Sequence, residues 1–587
     1  MPYLKLDGLR GKGPMAPFFM WLSSENNTSK PIWFLFASCI LASVWLLPNH
    51  YEPWTSWQSD ALIGMWVVGA TLYRLLDQKK IIWTFPTVFL SFCILISIAQ
   101  WGGGILFYTG QLYITSWYIG ATMLAFIIGQ NWSKSNFNEL GDLIFVAIAV
   151  AAFVSVGLNL GQWLDIVAED PVATWIMLGS PMRAVSNLNQ PNQTGTLLTW
   201  GIAGLLWGRY RGVIRPGFVL MGAAWMMVGM VLTQSRTSVL EVAAVTGLLF
   251  LHQYHSGVSR RFAFAFTLLA VGFAAIFFSW SFINTWLGWD TTSMYDRLHG
   301  EPRPTQWLML LQGALLSPWT GYGWGQVVPA QLALESTPPA LNHMIFAQSH
   351  NIFLDLILWT GFPLGLLLGG ILMAFACRLF LRVRTEWAFP FQVLLMAFAV
   401  HSMLEYPFQY AYFLLPAALA AGAVSAALSD GRIVWRTGRL PAVVLVLLVG
   451  GLGALLLRDA FRLESAWRSI RLQMANIAVS EEQKRIPTLP TLSHMEDVLH
   501  GVGYKVQPQA SDAELQRLIH VAGVFPSGAN LFNVAATMAL RGDDVGCVAW
   551  LRKITALAPQ DQQLTLANRW KVLVKTHPEL ARITLPS

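Results

Sequence analysis

Charge is scarce in this chain. Only 12% of its 587 residues are charged, about half the share of a soluble domain, which excludes an ordinary water-soluble globule. Cysteine is scarce as well. Cys39, Cys93 and Cys377 lie in or beside apolar runs and Cys547 in a polar tail, so neither a disulfide framework nor a zinc site is expected. No metal-ligand spacing, Walker motif, GxSxG elbow or dinucleotide fingerprint stands in a supporting setting, and neither a metal nor a cofactor is expected. The first apolar run opens a series and lacks a small-residue cleavage site, so it does not read as a removable signal peptide. The net charge of +7 is no nucleic-acid footprint, because the Arg and Lys fall in short loops between apolar runs.

What the chain has is length in apolar runs. It is 55% hydrophobic, with 27 Trp and 34 Phe, and runs such as 32–47 and 142–158 approach or reach spanning length. Candidate spans follow at 32–48, 58–76, 81–100, 112–130, 141–162, 192–208, 214–234, 236–251, 262–281, 351–377, 386–404, 411–428 and 440–457. The expected fold is therefore an all-α polytopic membrane protein of about 13 transmembrane helices. Loops at 77–80, 207–217, 252–261, 378–387 and 430–439 are basic, whereas those at 49–60, 163–190, 282–349 and 402–411 are poor in Lys and Arg. Their strict alternation implies the N-terminus inside and the C-terminus outside. Residues 1–30 form a basic stretch with an apolar patch suited to membrane lipid. Residues 31–457 form the membrane domain, with a large outer loop at 282–349, and 458–587 a polar helical tail. Ala535, Cys547, Leu551 and Pro559 are spaced as in one tetratricopeptide (TPR) unit, so a small TPR-like outer domain suited to docking a protein is expected.

Polar motifs then gather on the outer face. The segment 346–365 is a polar turn, Ala347 to Asn351, that opens into a long apolar helix and puts His350 at its mouth. Alone, such a histidine reads as an interfacial residue beside a helix cap. Other polar groups arrive on the same side: 186–195 at the start of the sixth span, Arg236 in the turn 233–241, and Glu405, Tyr406, Gln409 and Tyr410 in the turn 404–413. Helix N-termini attract anions and Arg grips phosphate bidentately, so Arg236 marks a phosphate or pyrophosphate site. The positive helix end favours the neutral form of His350 that a general base needs. In the large loop, Arg297 and Arg303 are further phosphate-contact candidates. The run 317–325 is either a turn that stacks on sugar rings or part of an interfacial aromatic belt.

Taken together, 187–201, 234–240, 296–301 with Trp307, 317–325, 349–365 and 405–416 resemble the bacterial PglL-type O-oligosaccharyltransferases, within the superfamily of O-antigen ligases (WaaL) and Wzy polymerases. The resemblance runs from about residue 30 to 430. It implies an inner-membrane glycosyltransferase that moves a preassembled oligosaccharide from undecaprenyl pyrophosphate to a hydroxyl on the periplasmic face. The acceptor would be Ser or Thr of a pilin-like protein. On the alternative branches it would be lipid A–core (ligase) or another lipid-linked repeat (polymerase). The family's essential histidine falls on His350 and its arginine on Arg236. A functional glutamine falls on Gln190, with Asn192 in the same Asn-Gln-Pro-Asn element, and a functional tyrosine on Tyr406 or Tyr410. The implied chemistry is one inverting displacement without a metal. A transporter of lipid-linked sugar would instead carry ionisable groups at mid-membrane and internal repeats, whereas here the polar groups mass at one face and no repeat is visible.

Overall fold

The computed structural model describes residues 30–584, apart from 49, 51, 167–174, 180–182, 254–257, 289–301 and 429–432. Arg297 and nearly all of the basic N-terminal stretch lie outside the described residues. The membrane part comprises α1 (Lys30–Ser43), α2 (Trp57–Asp77), α3 (Phe85–Gly102), α4 (Thr109–Trp163), α5 (Pro191–Tyr210), α6 (Pro216–Thr233), α7 (Arg236–Leu251) and α8 (Arg260–Trp286). It continues through α9 (Arg303–Leu316), α10 (Val328–Leu332), α11 (Ile352–Arg382), α12 (Phe389–Leu404), α13 (Ala411–Ala426) and α14 (Leu440–Met474). The tail adds α15 (Ser493–Val502), α16 (Asp512–Val524), α17 (Gly528–Leu540), α18 (Asp544–Leu557) and α19 (Gln560–Thr576). Among the described residues seven helices are long and apolar enough to cross a membrane. The protein is an all-α, multi-pass membrane protein.

Two breaks organise the bundle. Helix α4 is 55 residues long, about 80 Å if it ran straight, which far exceeds a bilayer core. It breaks at Asn136, whose φ of −159° leaves the helical region. The Asn136 side chain accepts from the Glu139 amide at 3.1 Å and donates to the Glu139 carboxylate at 3.4 Å. This reciprocal cap starts a second membrane-length helix, so the loop expected between 130 and 141 is reduced to one capping residue. The second break is in α11 at Gly361, with φ +77°. A Cβ there would meet the Trp319 carbonyl carbon at 2.5 Å, so only glycine fits.

Around α4 the packing is close. Gly129 of α4 and Gly422 of α13 let the two backbones approach until an added Cβ would stand 2.0 Å from Leu419 O or 2.1 Å from Phe126 O, as small residues do at membrane helix contacts. Trp45, Trp200, Phe145 and Phe413 fill the surrounding core. At one end Ile81–Thr84 (β1) pairs antiparallel with Ile433–Thr437 (β2), and Trp83 stacks on Trp435. This ribbon occupies the first residues of the span expected at 81–100. Trp83 and the β-branched Ile81, Ile82 and Thr84 favour a strand once a partner is available.

The polar tail is fused to the membrane part. Helix α14 runs unbroken to Met474, past residue 458. Buried Asp459 on it accepts from the Thr491 amide at 2.8 Å and hydroxyl at 2.7 Å. Ser493 Oγ accepts from the Gly110 amide at 3.0 Å, and Tyr108 donates to Asp497 at 3.1 Å. His494 is sealed in this seam against Gly110, and burial holds its imidazole down at about 4. A buried neutral histidine stabilises the fold above its ordinary value near 6.5. That contribution is lost as pH falls from there toward 4, because the unfolded chain binds the proton first. Thermal unfolding should therefore show lower stability at pH 5 than at pH 7.5, and His494→Gln should flatten that difference; an unchanged slope would contradict the assignment.

Candidate functional site

Helices α5, α7 and α12 are joined by two layers of polar contacts. In the upper layer Ser235, at the N-cap of α7, donates to Asn192 Oδ1 at 2.6 Å, and Asn192 Nδ2 donates to Glu405 Oε1 at 2.9 Å. One turn along α5 and α12 lies the lower layer, where Thr196 Oγ1 stands 2.5 Å from Glu241 Oε1 and 2.8 Å from His401 Nδ1, and Thr199 donates to Glu241 Oε2 at 2.7 Å. Glu405 follows the last residue of α12 and is 6% exposed. The same carboxylate takes the Arg303 guanidinium on Oε1, while His350 Nδ1 lies 2.7 Å from Oε2. This last contact is an ion-pair approach without hydrogen-bond alignment. Burial pushes the Glu405 carboxyl up, but His350 and then Arg303 outweigh it and hold the group below the usual carboxylate range. Glu405 is an anion at neutral pH.

His350 is presented on a strap braced from several sides. Trp307 Nε1 donates to Ser349 O at 2.8 Å, Gln306 Nε2 to Gln348 O at 3.1 Å, and the Ser349 amide to buried Asp355 at 2.9 Å. Asn351 caps α11 by accepting from the Phe353 and Leu354 amides. Between Ser349 and Asn351 the backbone of His350 takes φ +62°, an uncommon left-handed conformation for a non-glycine residue, and it sets the direction in which the ring leaves the chain. The ring is 25% exposed, so it is reachable from outside. The Glu405 carboxylate attracts the Nδ1 side of the ring by charge, which leaves Nε2 as the nitrogen available to a reacting group.

A fixed acid–histidine pair at a membrane edge meets two further findings. Residues 221–369 match the O-antigen ligase family, and 392–572 match the C-terminal region of the membrane-bound polymerase virulence factors. The chain is 27% identical over 472 residues to the general O-oligosaccharyltransferase of Acinetobacter baylyi, covering 76% of this chain and 79% of that one. It is 25% identical over 389 residues to the ComP-specific O-oligosaccharyltransferase of the same organism, covering 66% and 69%. The chain is a membrane glycosyltransferase similar to these O-oligosaccharyltransferases, with segments of the O-antigen ligase and polymerase type.

His350, Arg303 and Asn192 converge directly on Glu405. Tyr406 meets the His350 ring edge to face at 4.9 Å, and Tyr410 stacks behind it at 5.8 Å, which orders the two tyrosines by their distance from the histidine. Burial, then the charge of Glu405, pushes the Tyr406 phenol up, so it stays neutral at neutral pH. Gln190 is the N-cap of α5 and accepts from the Gln193 amide at 2.7 Å. Arg236 opens α7 next to Ser235, and Arg297 is outside the described residues.

Two expected features gain detail. Gln190, Ser235 and Asn351 each cap their own helix by taking one or two of its first amides, so these helix starts present an anion with fewer open donors than uncapped ones. The run 317–325 locks onto the α11 break: Tyr322 and Gly323 amides donate to Leu358 and Trp359 carbonyls, and the Phe362 amide to Pro318 O. Its aromatics are thereby divided, with Trp324 packed on Trp359 and Trp319 77% exposed. The residue without an assigned role in the sequence is Glu405. Its signal was present, an acid at the head of an outer turn otherwise built of aromatics. Glu405→Gln keeps the shape but removes the charge that orients His350 and balances Arg303, so transfer should fall about 10²-fold or more, with the protein still folded by thermal melting; an unimpaired rate would exclude Glu405 from the site.

Proposed function

We propose that the protein transfers a preassembled oligosaccharide from undecaprenyl pyrophosphate to Ser or Thr hydroxyls of a pilin-like protein, on the periplasmic face of the inner membrane. The observation that carries this reading is the Glu405–His350 pair, held on a strained and braced strap with one ring nitrogen turned away from the carboxylate. The acceptor hydroxyl gives its proton to His350 Nε2 as its oxygen bonds to the anomeric carbon. On the opposite side the bond from that carbon to the pyrophosphate oxygen breaks, and the electron pair leaves with undecaprenyl pyrophosphate. Configuration inverts, and no covalent protein intermediate is needed because pyrophosphate is already a good leaving group. Arg236 and Arg297 meet the charge growing on the leaving group. Arg303 adds positive charge while fixing Glu405. Gln190, Asn192, Tyr406 and Tyr410 hold donor and acceptor around the pair.

The membrane arrangement in this reading is about 13 spans, with the N-terminus cytoplasmic and the region from 458 onward periplasmic. The basic loops on one side and the polar cluster at the other end support it. The tail is a TPR-like unit that docks the protein acceptor. Its α17–α18 hairpin supports this, with Ala535, Cys547 and Leu551 in the tail core. The names of the two relatives favour the oligosaccharyltransferase branch over ligation to lipid A–core.

A transfer assay tests the reading. Purified protein and an undecaprenyl-pyrophosphate oligosaccharide are offered a pilin-type protein and lipid A–core in separate reactions. A mass shift on the protein alone is expected. Transfer to lipid alone would make the enzyme a ligase, and donor lengthening without either acceptor a polymerase. His350→Ala should lower transfer by about 10²–10⁴-fold. Arg236→Lys should also be poor, because an ammonium does not reproduce a bidentate phosphate contact; full activity of that variant would reduce Arg236 to a membrane-edge anchor.

A further inference from the structure

The chain leading to His350 is held along its whole length, and its far end is held by the tail. The His343 amide donates to Ala556 O at 2.7 Å, and His343 Nδ1 donates to Ala558 O at 2.6 Å, both at the C-terminal end of α18. His343 sits at φ +65°, the second left-handed histidine within eight positions of the strap. Lys553, one turn earlier on α18, donates to the carbonyls of Leu332 at 2.5 Å and Leu334 at 3.1 Å, at the end of α10. Buried Gln331 of α10 then grips the next stretch, its Nε2 donating to Met344 O at 2.9 Å and its Oε1 accepting from the Phe346 amide at 3.0 Å. Gln306, Trp307 and Asp355 take over at 348 and 349. The order of contacts is therefore α18, His343, Gln331, α9 and His350.

We propose that the tail is a positioning element for His350 as well as a docking unit, with Lys553 and His343 as its positioning residues. This rests on the transfer function proposed above. A strap with two residues in a left-handed conformation shifts when its tail end is released, because the tail contacts are part of what over-determines its backbone. A displacement near 1 Å at a reacting group lowers a rate by roughly 10²-fold, whereas loss of a docking surface raises acceptor KM and spares kcat.

Lys553→Met removes both carbonyl contacts, and Lys553→Arg restores a donor of the same charge. With a pilin-type acceptor, Lys553→Met should lower kcat at least about tenfold with acceptor KM changed less than about twofold, and Lys553→Arg should recover most of it. In parallel, hydrogen exchange should accelerate at the amides of His343, Phe346 and Ser349, with protection inside α17 unchanged to show that the tail stays folded. A raised KM with normal kcat, or unchanged kcat and exchange, would overturn the proposal. If the wild-type protein transfers nothing, the proposed function fails, while the exchange comparison still decides whether Lys553 holds the strap.

Discussion

A carboxylate at the edge of a membrane bundle is tolerable only if its charge is answered. Glu405 is answered by Arg303, His350 and Asn192. Each partner comes from a different element: α9, the strap before α11, and α5. Removing one partner of such a buried pair costs about 3–5 kcal/mol because the other charge is left uncompensated. The outer turn, the α9 helix and the strap are thus obliged to stay together whenever Glu405 is ionised. The histidine proposed as the base is held by the same charge that holds the fold at that end, so in this proposal stability and reactivity depend on one side chain.

The rest of the architecture delivers those elements to one place. Asn136 divides a helix too long for any bilayer into two usable halves, and Gly361 breaks α11 so that 317–325 can dock on the freed backbone groups. The second polar layer, with Glu241, Thr196, Thr199 and His401, ties α5, α7 and α12 together one turn away from the site. Asn192 and Glu405 therefore leave helices that are already registered against one another. The tail completes the frame from outside, through His343 and Lys553.

Much of this was legible in the sequence, for identifiable reasons. Long apolar runs and scarce charge settle the all-α membrane class, since only helices satisfy a lipid-exposed backbone along such runs. His350 stood out because a polar group at a membrane edge is costly without a role, whereas Arg303 entered as a loop arginine and Tyr406, undecided against Tyr410, through the family resemblance. The caps were unevenly visible. Ser235 and Asn351 are ordinary capping types, whereas Gln190 is not, and which amides a cap takes is decided by a rotamer, which spacing does not encode. The β1–β2 ribbon joins residues some 350 positions apart, and no local pattern announces such a partner. The role of Glu405 was hidden for the same reason. Its three partners lie 55, 102 and 213 positions away.

The most direct test of the account is a cryo-electron microscopy structure of the protein with a non-reactive undecaprenyl-pyrophosphate oligosaccharide and an acceptor peptide. In that complex His350 Nε2 should lie within hydrogen-bond reach of the acceptor hydroxyl, about 2.6–3.2 Å. Glu405 should still stand against Nδ1, with the pyrophosphate across the anomeric carbon beside Arg236. A pyrophosphate bound directly by His350, or a Glu405 drawn away from the histidine when both substrates are present, would contradict it.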